Sequence, residues 1–171
     1  MIDFNKAFNS AKFIVLLSIG FNLVAYLIYA ILVLVFGIGG TVAGSTAVGL
    51  GFASIIAMGL WIINQIINAI IIIYGGYKAA KTGLGVWSCG LVGLITWSIV
   101  APLIGVIQFI GDILFNLGLT TLGGPIAKSA ASALDPTNNL IYLFCLFGVY
   151  ILGFGLNFII ALIGGLIGGA N

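Results

Sequence analysis

The sequence predicts an all-α protein built from four hydrophobic helices of the length that crosses a membrane. Charged residues make up 5% of the 171 positions and hydrophobic residues 63%, whereas about a quarter of a soluble domain is charged. Residues 13–77 and 136–171 contain no charged side chain at all. Hydrophobic runs of about 20 residues match a bilayer core ~30 Å thick, because a helix rises ~1.5 Å per residue.

Four transmembrane-type spans are predicted within one hydrophobic helical domain that covers residues 1–171. They lie at about residues 13–36, 50–74, 85–111 and 140–167. Glycine-rich residues 37–46 disfavour a helix after the first span, and residues 75–83 are expected to form a short polar turn after the second. Pro102 predicts a kink in the third span. The simplest arrangement is two helical hairpins.

The third connection, residues 112–139, is the longest and is expected to carry a short extra helix over residues 125–134. Pro125 suits the first turn of a helix, and Asp135–Pro136 discourages its continuation. The glycine-rich tail after the fourth span is expected to fray.

Lysines predict the orientation in a membrane. Lys6 and Lys12 precede the first span, and Lys78 and Lys81 join the second to the third, so four of the five lysines fall on one side. Cytoplasmic segments carry the excess of basic residues. We therefore expect an integral membrane protein with both termini on the cytoplasmic side.

Few side chains are available for chemistry. The chain has no His, and its three acids are scattered aspartates, so no general base or nucleophile–base pair is in view. Cys89 and Cys145 form no metal-binding pattern and are expected to be free thiols about 20 Å apart along the membrane normal. The sequence predicts no enzyme, no catalytic residue, no cofactor and no metal. A net charge of +2 without a basic cluster also gives no reason to expect nucleic-acid recognition.

Polar residues inside the spans are the first candidate functional group. Asn64 and Asn68 are one turn apart and share a helix face, with Gln65 beside them. The remaining members are Asn22, Thr96, Gln108 and Asn157. They could line a path for a solute, or they could hold helices together at about 0.6–2 kcal/mol per contact. We favour helix contacts, because transport paths usually recruit an ionisable group and these spans contain none.

Asp112 is the one acid close to a span. Inside the membrane it would be a candidate ion or proton site. Gly111 and Asn116 indicate a helix end nearby, and burial of a lone carboxylate is costly. We therefore favour an interfacial position.

Glycine pairs spaced four residues apart are the second candidate group. Such spacing lets helix backbones approach closely in lipid, and we expect it to mediate association within the chain or between copies. The pairs are Gly40/Gly44, Gly164/Gly168 and Gly165/Gly169.

The apolar hairpin of residues 66–74, the turn at 75–83 and the helix at 86–110 resemble the hydrophobic helical coat proteins of spindle-shaped archaeal viruses. That resemblance implies helices packed into a virion shell. Two hypotheses follow. The favoured one is a non-enzymatic structural protein whose apolar, glycine-rich helices associate with lipid, partners or copies of the chain, in a membrane or in a viral coat. The alternative is a small channel or transporter subunit with a polar Asn/Gln path.

Overall fold

A computed structural model describes residues 3–42, 46–122 and 140–170 of the chain. The prediction of an all-α fold with four long apolar helices is confirmed for these residues. The predicted short helix at 125–134 lies outside them. In chain order the helices are α1 (Phe4–Val42), α2 (Thr46–Lys81), α3 (Val86–Leu122) and α4 (Leu140–Ile167).

Each helix contains a segment that is long and apolar enough to cross a membrane, as expected of an integral membrane protein. The four segments are Phe4–Leu32, Met58–Lys81, Val86–Ile107 and Gly148–Ile167. Only 17% to 33% of the most hydrophobic stretch of each segment is buried inside the chain. Most of the apolar surface therefore faces outward, where lipid or another protein must cover it.

The helices α2 and α3 form the centre of the bundle, and each contacts all of the other three. Successive helices run in opposite directions, whereas α2 and α4, which also contact each other, run parallel. Within the described residues, α1 and α4 do not touch each other. They lie on opposite sides of the α2–α3 pair.

The helix α2 ends later than the sequence suggested. Residues 75–81, expected to be part of a turn, are helical, and the turn begins at Thr82. The helix stops at Gly83, which has φ +83°. The N–H of Gly83 donates to Ala80 and that of Leu84 to Ala79, which is the Schellman arrangement. Within this last part of α2, Gly75 packs against Ile14 of α1 and Gly76 against Ala161 of α4.

The helix α1 begins earlier and ends later than its predicted span. Asp3 caps its N-terminus, since the backbone N–H of Lys6 donates to Asp3 Oδ1 at 3.1 Å. Helix also continues through residues 37–42, where the glycines suggested a loop. Pro102 lies inside α3, as expected.

The C-terminal tail is packed rather than frayed. Gly169 has φ +82°, and the N–H groups of Gly169 and Ala170 donate to Leu166 and Gly165. This second Schellman turn closes α4 and brings Ala170 against the main core cluster. Small buried residues of α1, α2 and α3 fill that cluster, among them Ala7, Ala11, Ala79 and Cys89.

Candidate functional site

Three asparagines join α1 to α2 in a hydrogen-bonded cluster, which we call the asparagine triad: Asn22, Asn64 and Asn68. Asn22 Nδ2 donates to Asn68 Oδ1 at 3.0 Å, and Asn64 Nδ2 donates to Asn22 Oδ1 at 3.0 Å. Asn68 Nδ2 donates back to Asn22 Oδ1 at 3.3 Å. The shared face of Asn64 and Asn68 expected from the sequence thus meets Asn22 of α1.

The triad lies near the middle of the candidate membrane segments of α1 and α2. Asn22 is ten residues from Lys12, and Asn68 is ten residues from Lys78. Each separation corresponds to about 15 Å of helix, half of a hydrocarbon core ~30 Å thick. At that depth no water satisfies an amide, so the three side chains have to satisfy one another.

The three side chains of the triad do not use all of their hydrogen-bond donors. Asn22 Oδ1 accepts two bonds, and Asn22 Nδ2 donates to Asn68 Oδ1 and to the Ser18 carbonyl. A carboxamide nitrogen has two hydrogens. Asn64 Nδ2 makes one bond, to Asn22, and within the described part of the chain its second hydrogen has no acceptor.

A groove of about 760 Å³ opens between α1 and α2 beside the triad. Asn22 and Asn64 stand in its wall, and the rest of the lining is apolar or aromatic, including Phe21, Tyr26, Tyr29, Met58 and Trp61. No lining residue is charged, as residues 13–77 contain no charged side chain. We call this feature the α1–α2 groove.

A seam of small residues joins α2 to α4 at close range. A Cβ added to Gly76 would overlap the Ala161 carbonyl, and one added to Gly164 would overlap the Ile73 carbonyl. A Cβ on Gly168 would lie 2.7 Å from Ala80 Cβ. Glycine is required here because the two backbones touch.

The contact between α3 and α4 has a different form, in which rings rest on glycines. The Phe158 ring covers Gly90, and the Trp97 indole covers Gly153. Trp97 Nε1 also donates to the Tyr150 carbonyl at 3.0 Å. In addition, Gly93 lies against the Asn157 carbonyl, and Gly165 against Cys89.

The predicted glycine residues fall into separate groups. Gly164, Gly165 and Gly168 lie at helix contacts inside the chain, whereas Gly169 supplies the positive φ that ends α4. Gly40 lies in α1, but its contacts are outside the described part of the chain. Gly44 is not among the described residues. Sequence reasoning missed Gly76, Gly90, Gly93 and Gly153, since nothing local distinguishes them from other glycines.

The other predicted polar residues do not join the triad. Thr96 Oγ1 donates to the Val92 carbonyl, and Asn157 Nδ2 donates to the Gly153 carbonyl, so each bonds to its own helix. Gln108 and Asp112 belong to α3, but their side chains lie outside the described part. The Asp112 backbone is 26 residues from Val86, about 39 Å along the helix, which is farther than the hydrocarbon core is thick.

The four described lysines, Lys6, Lys12, Lys78 and Lys81, gather at one end of the bundle. The backbone N–H of Asp3 donates to Ser88 Oγ at 3.1 Å, which joins the start of α1 to the start of α3. Lys78 Nζ lies 4.4 Å from the centre of the Phe13 ring, a cation–π contact between α2 and α1. The Lys6 N–H holds the pKa of the exposed Asp3 carboxyl below its ordinary value. This end therefore forms a charged and aromatic rim.

Gln65 differs from its polar neighbours Asn64 and Asn68 on α2. It is 13 residues from Lys78, about 20 Å into the membrane, and it is exposed. No hydrogen-bond partner for its amide is present among the described residues. Its exposed neighbours are Trp61 and Ile62.

The described residues contain no group of three His, Cys, Asp or Glu side chains that could hold a metal ion. The triad and the α1–α2 groove therefore provide neutral hydrogen-bonding groups surrounded by apolar side chains. No protein family, curated protein or solved structure matches this chain.

Proposed function

We propose that this protein is a non-enzymatic structural subunit of a membrane, which associates with copies of itself through α2. The apolar exterior supports a role among lipids and neighbouring helices. The observation that carries self-association is the Gln65 amide, which is exposed inside the span and has no hydrogen-bond partner among the described residues.

An unsatisfied amide in the hydrocarbon core costs several kcal/mol. A carboxamide can donate and accept at once, so two copies of Gln65 across a twofold axis would satisfy each other reciprocally. Glutamine is one of the side chains that hold transmembrane helices together. Trp61 and Ile62 would supply the apolar contact around the pair.

The hydrogen bonds within the triad and those of Thr96 and Asn157 argue against the channel alternative. The triad bonds within itself, and Thr96 and Asn157 bond to their own helices. The close α2–α4 seam leaves no room between those helices. The position of Asp112 along α3, beyond the thickness of the hydrocarbon core, also favours an interfacial carboxylate over an intramembrane ion site.

The lysine rim supports an orientation with this end on the cytoplasmic side, which would put both termini there. A virion shell, suggested by the resemblance to spindle-shaped virus coat proteins, would use the same association in a different setting.

The experiment is a measurement of self-association for Gln65→Leu. Energy transfer between labelled copies in mild detergent, over a range of protein-to-detergent ratios, gives the dissociation constant. Losing a reciprocal amide pair worth about 1–2 kcal/mol should raise that constant by about tenfold.

The matched control is Leu156→Met, a conservative change at an exposed position of α4, which should leave the constant unchanged. A monomeric parent protein would overturn self-association. An oligomer whose constant is the same in Gln65→Leu would show that α2 is not the contact.

A further inference from the structure

We propose that the α1–α2 groove binds an uncharged, membrane-soluble molecule that presents a carbonyl oxygen to Asn64 from a planar ring with an apolar tail. This inference rests on other observations than the self-association proposed above, and the two surfaces share Trp61 and Ile62. It rests on the Asn64 amide hydrogen that has no acceptor among the described residues, on the shape of the groove and on the uncharged sequence between positions 13 and 77.

The size and lining of the groove are those of a small-molecule site. Ligand pockets have volumes of about 300–1,000 Å³ and combine apolar walls with a few well-placed polar groups. The α1–α2 groove has about 760 Å³, and its polar groups include the amides of Asn22 and Asn64. Its fourteen lining residues all belong to α1 or α2.

The spare hydrogen on Asn64 Nδ2 specifies an acceptor. Unpaired N–H groups in buried places are rarer than oxygens with an unused lone pair, so the unused donor is the feature that a ligand would satisfy. A carbonyl oxygen is the uncharged group that accepts best in an apolar setting. A carboxylate or phosphate would bring a charge that no residue between positions 13 and 77 could neutralise.

The aromatic lining favours a ring. Phe21, Tyr26, Tyr29 and Trp61 surround the space beside the triad, and aromatic side chains stack on planar groups or meet them edge to face. The groove is flanked by exposed apolar residues such as Ile28 and Ile63. A ligand that reaches the triad therefore has to dissolve in lipid. A quinone with an alkyl tail has all of these properties.

The test is quenching of intrinsic tryptophan fluorescence by decylubiquinone, with the full chain in nonionic detergent. Trp61 lies in the groove wall, so a bound quinone should quench it in a saturable way near one equivalent. Trp61→Phe should remove the saturable part. Decylbenzene, which has the ring and tail without carbonyl groups, should compete at least tenfold less well.

Two variants distinguish the hydrogen bond from Asn64 from the effect of the groove volume on binding. Asn64→Leu should weaken binding about fivefold to tenfold, the loss expected of one neutral hydrogen bond. Ala25→Phe fills the groove without altering the triad and should abolish saturable quenching, even if Asn64→Leu fails to fold. Leu156→Phe, on an exposed face of α4, should bind like the parent.

Quenching that rises linearly with quinone and is equal in all of these proteins would overturn the inference, as it would show dissolution in the detergent. Equal competition by decylbenzene would also overturn it, since the carbonyl group would then have no part in binding.

Discussion

The helix α2 is held on its two sides by opposite means. Toward α4 it presents Gly76, and the backbones touch. Toward α1 it presents Asn64 and Asn68, whose amides bridge a wider gap, and a groove opens beside them. The difference shows that close packing and hydrogen bonding are alternatives in lipid: where side chains are absent the helices come together, and where amides hold them apart space remains.

The largest effect is expected from Gly76→Ala. The added methyl group would meet the Ala161 carbonyl, and because the obstacle is backbone, only a displacement of α4 relieves it. We expect the free energy of unfolding to fall by about 3 kcal/mol, at the upper end for overpacking. Unfolding in sodium dodecyl sulfate, followed by circular dichroism, measures it.

Gly59→Ala in the same helix is the control for that variant. A Cβ at Gly59 meets nothing within 4 Å, and alanine in a helix is favoured over glycine by about 0.5–1 kcal/mol. The control should therefore be more stable than the parent. Similar losses in both variants would contradict the close seam.

The next effect is expected from Asn22→Leu, which removes the central member of the triad. The bonds to both Asn64 and Asn68 are lost, and we expect the free energy of unfolding to fall by about 1–2 kcal/mol. A double-mutant cycle with Asn68→Leu measures the coupling. Additive losses would mean that the two side chains do not interact, since neighbours in one network should couple.

A smaller effect of opposite sign is expected from Ser18→Ala. The Ser18 side chain is 1% exposed, and its hydroxyl has no hydrogen-bond partner among the described residues. Removing an unsatisfied hydroxyl should stabilise the protein by up to about 1 kcal/mol in the same unfolding assay. Ser98→Ala is the control, because Ser98 Oγ donates to the Leu94 carbonyl. Removing that hydroxyl should not stabilise the protein. If Ser18→Ala is less stable than the parent, the Ser18 hydroxyl must make a hydrogen bond, and the prediction is wrong.

The smallest effect is expected at the rim, from the pH dependence of the Asp3 cap. The folded state lowers the pKa of this carboxyl, so its contribution is complete above the ordinary value of 3.8. The contribution is lost as the pH falls through the lowered pKa. Hydrogen exchange of the Lys6 amide, corrected for intrinsic rates, should become faster as the pH falls through the lowered pKa of Asp3. Asp3→Asn keeps the cap without the titration and should not show the change; an identical profile would exclude Asp3 as the cause.

Much of the triad could be predicted from the sequence, and little of the seam. Asn64 and Asn68 share a face by helical periodicity alone, and their burial in an apolar span means they must find partners. That the partner is Asn22 depends on the register of α1 against α2. The Gly75–Gly76 pair was predicted to be part of a turn, because glycine beside lysines is typical of turns. Only the neighbouring helices reveal their contacts, with Ile14 of α1 at Gly75 and with Ala161 of α4 at Gly76.

The sequence by itself determined the apolar environment and the four long helices. A chain with 5% charged residues cannot solvate its surface, and backbone groups in lipid have to bond within helices. The tertiary structure decided which glycines touch a neighbour, which amides pair and where a groove remains. These features depend on which residues of separate helices lie at the same depth and face each other, and local periodicity holds no information about that.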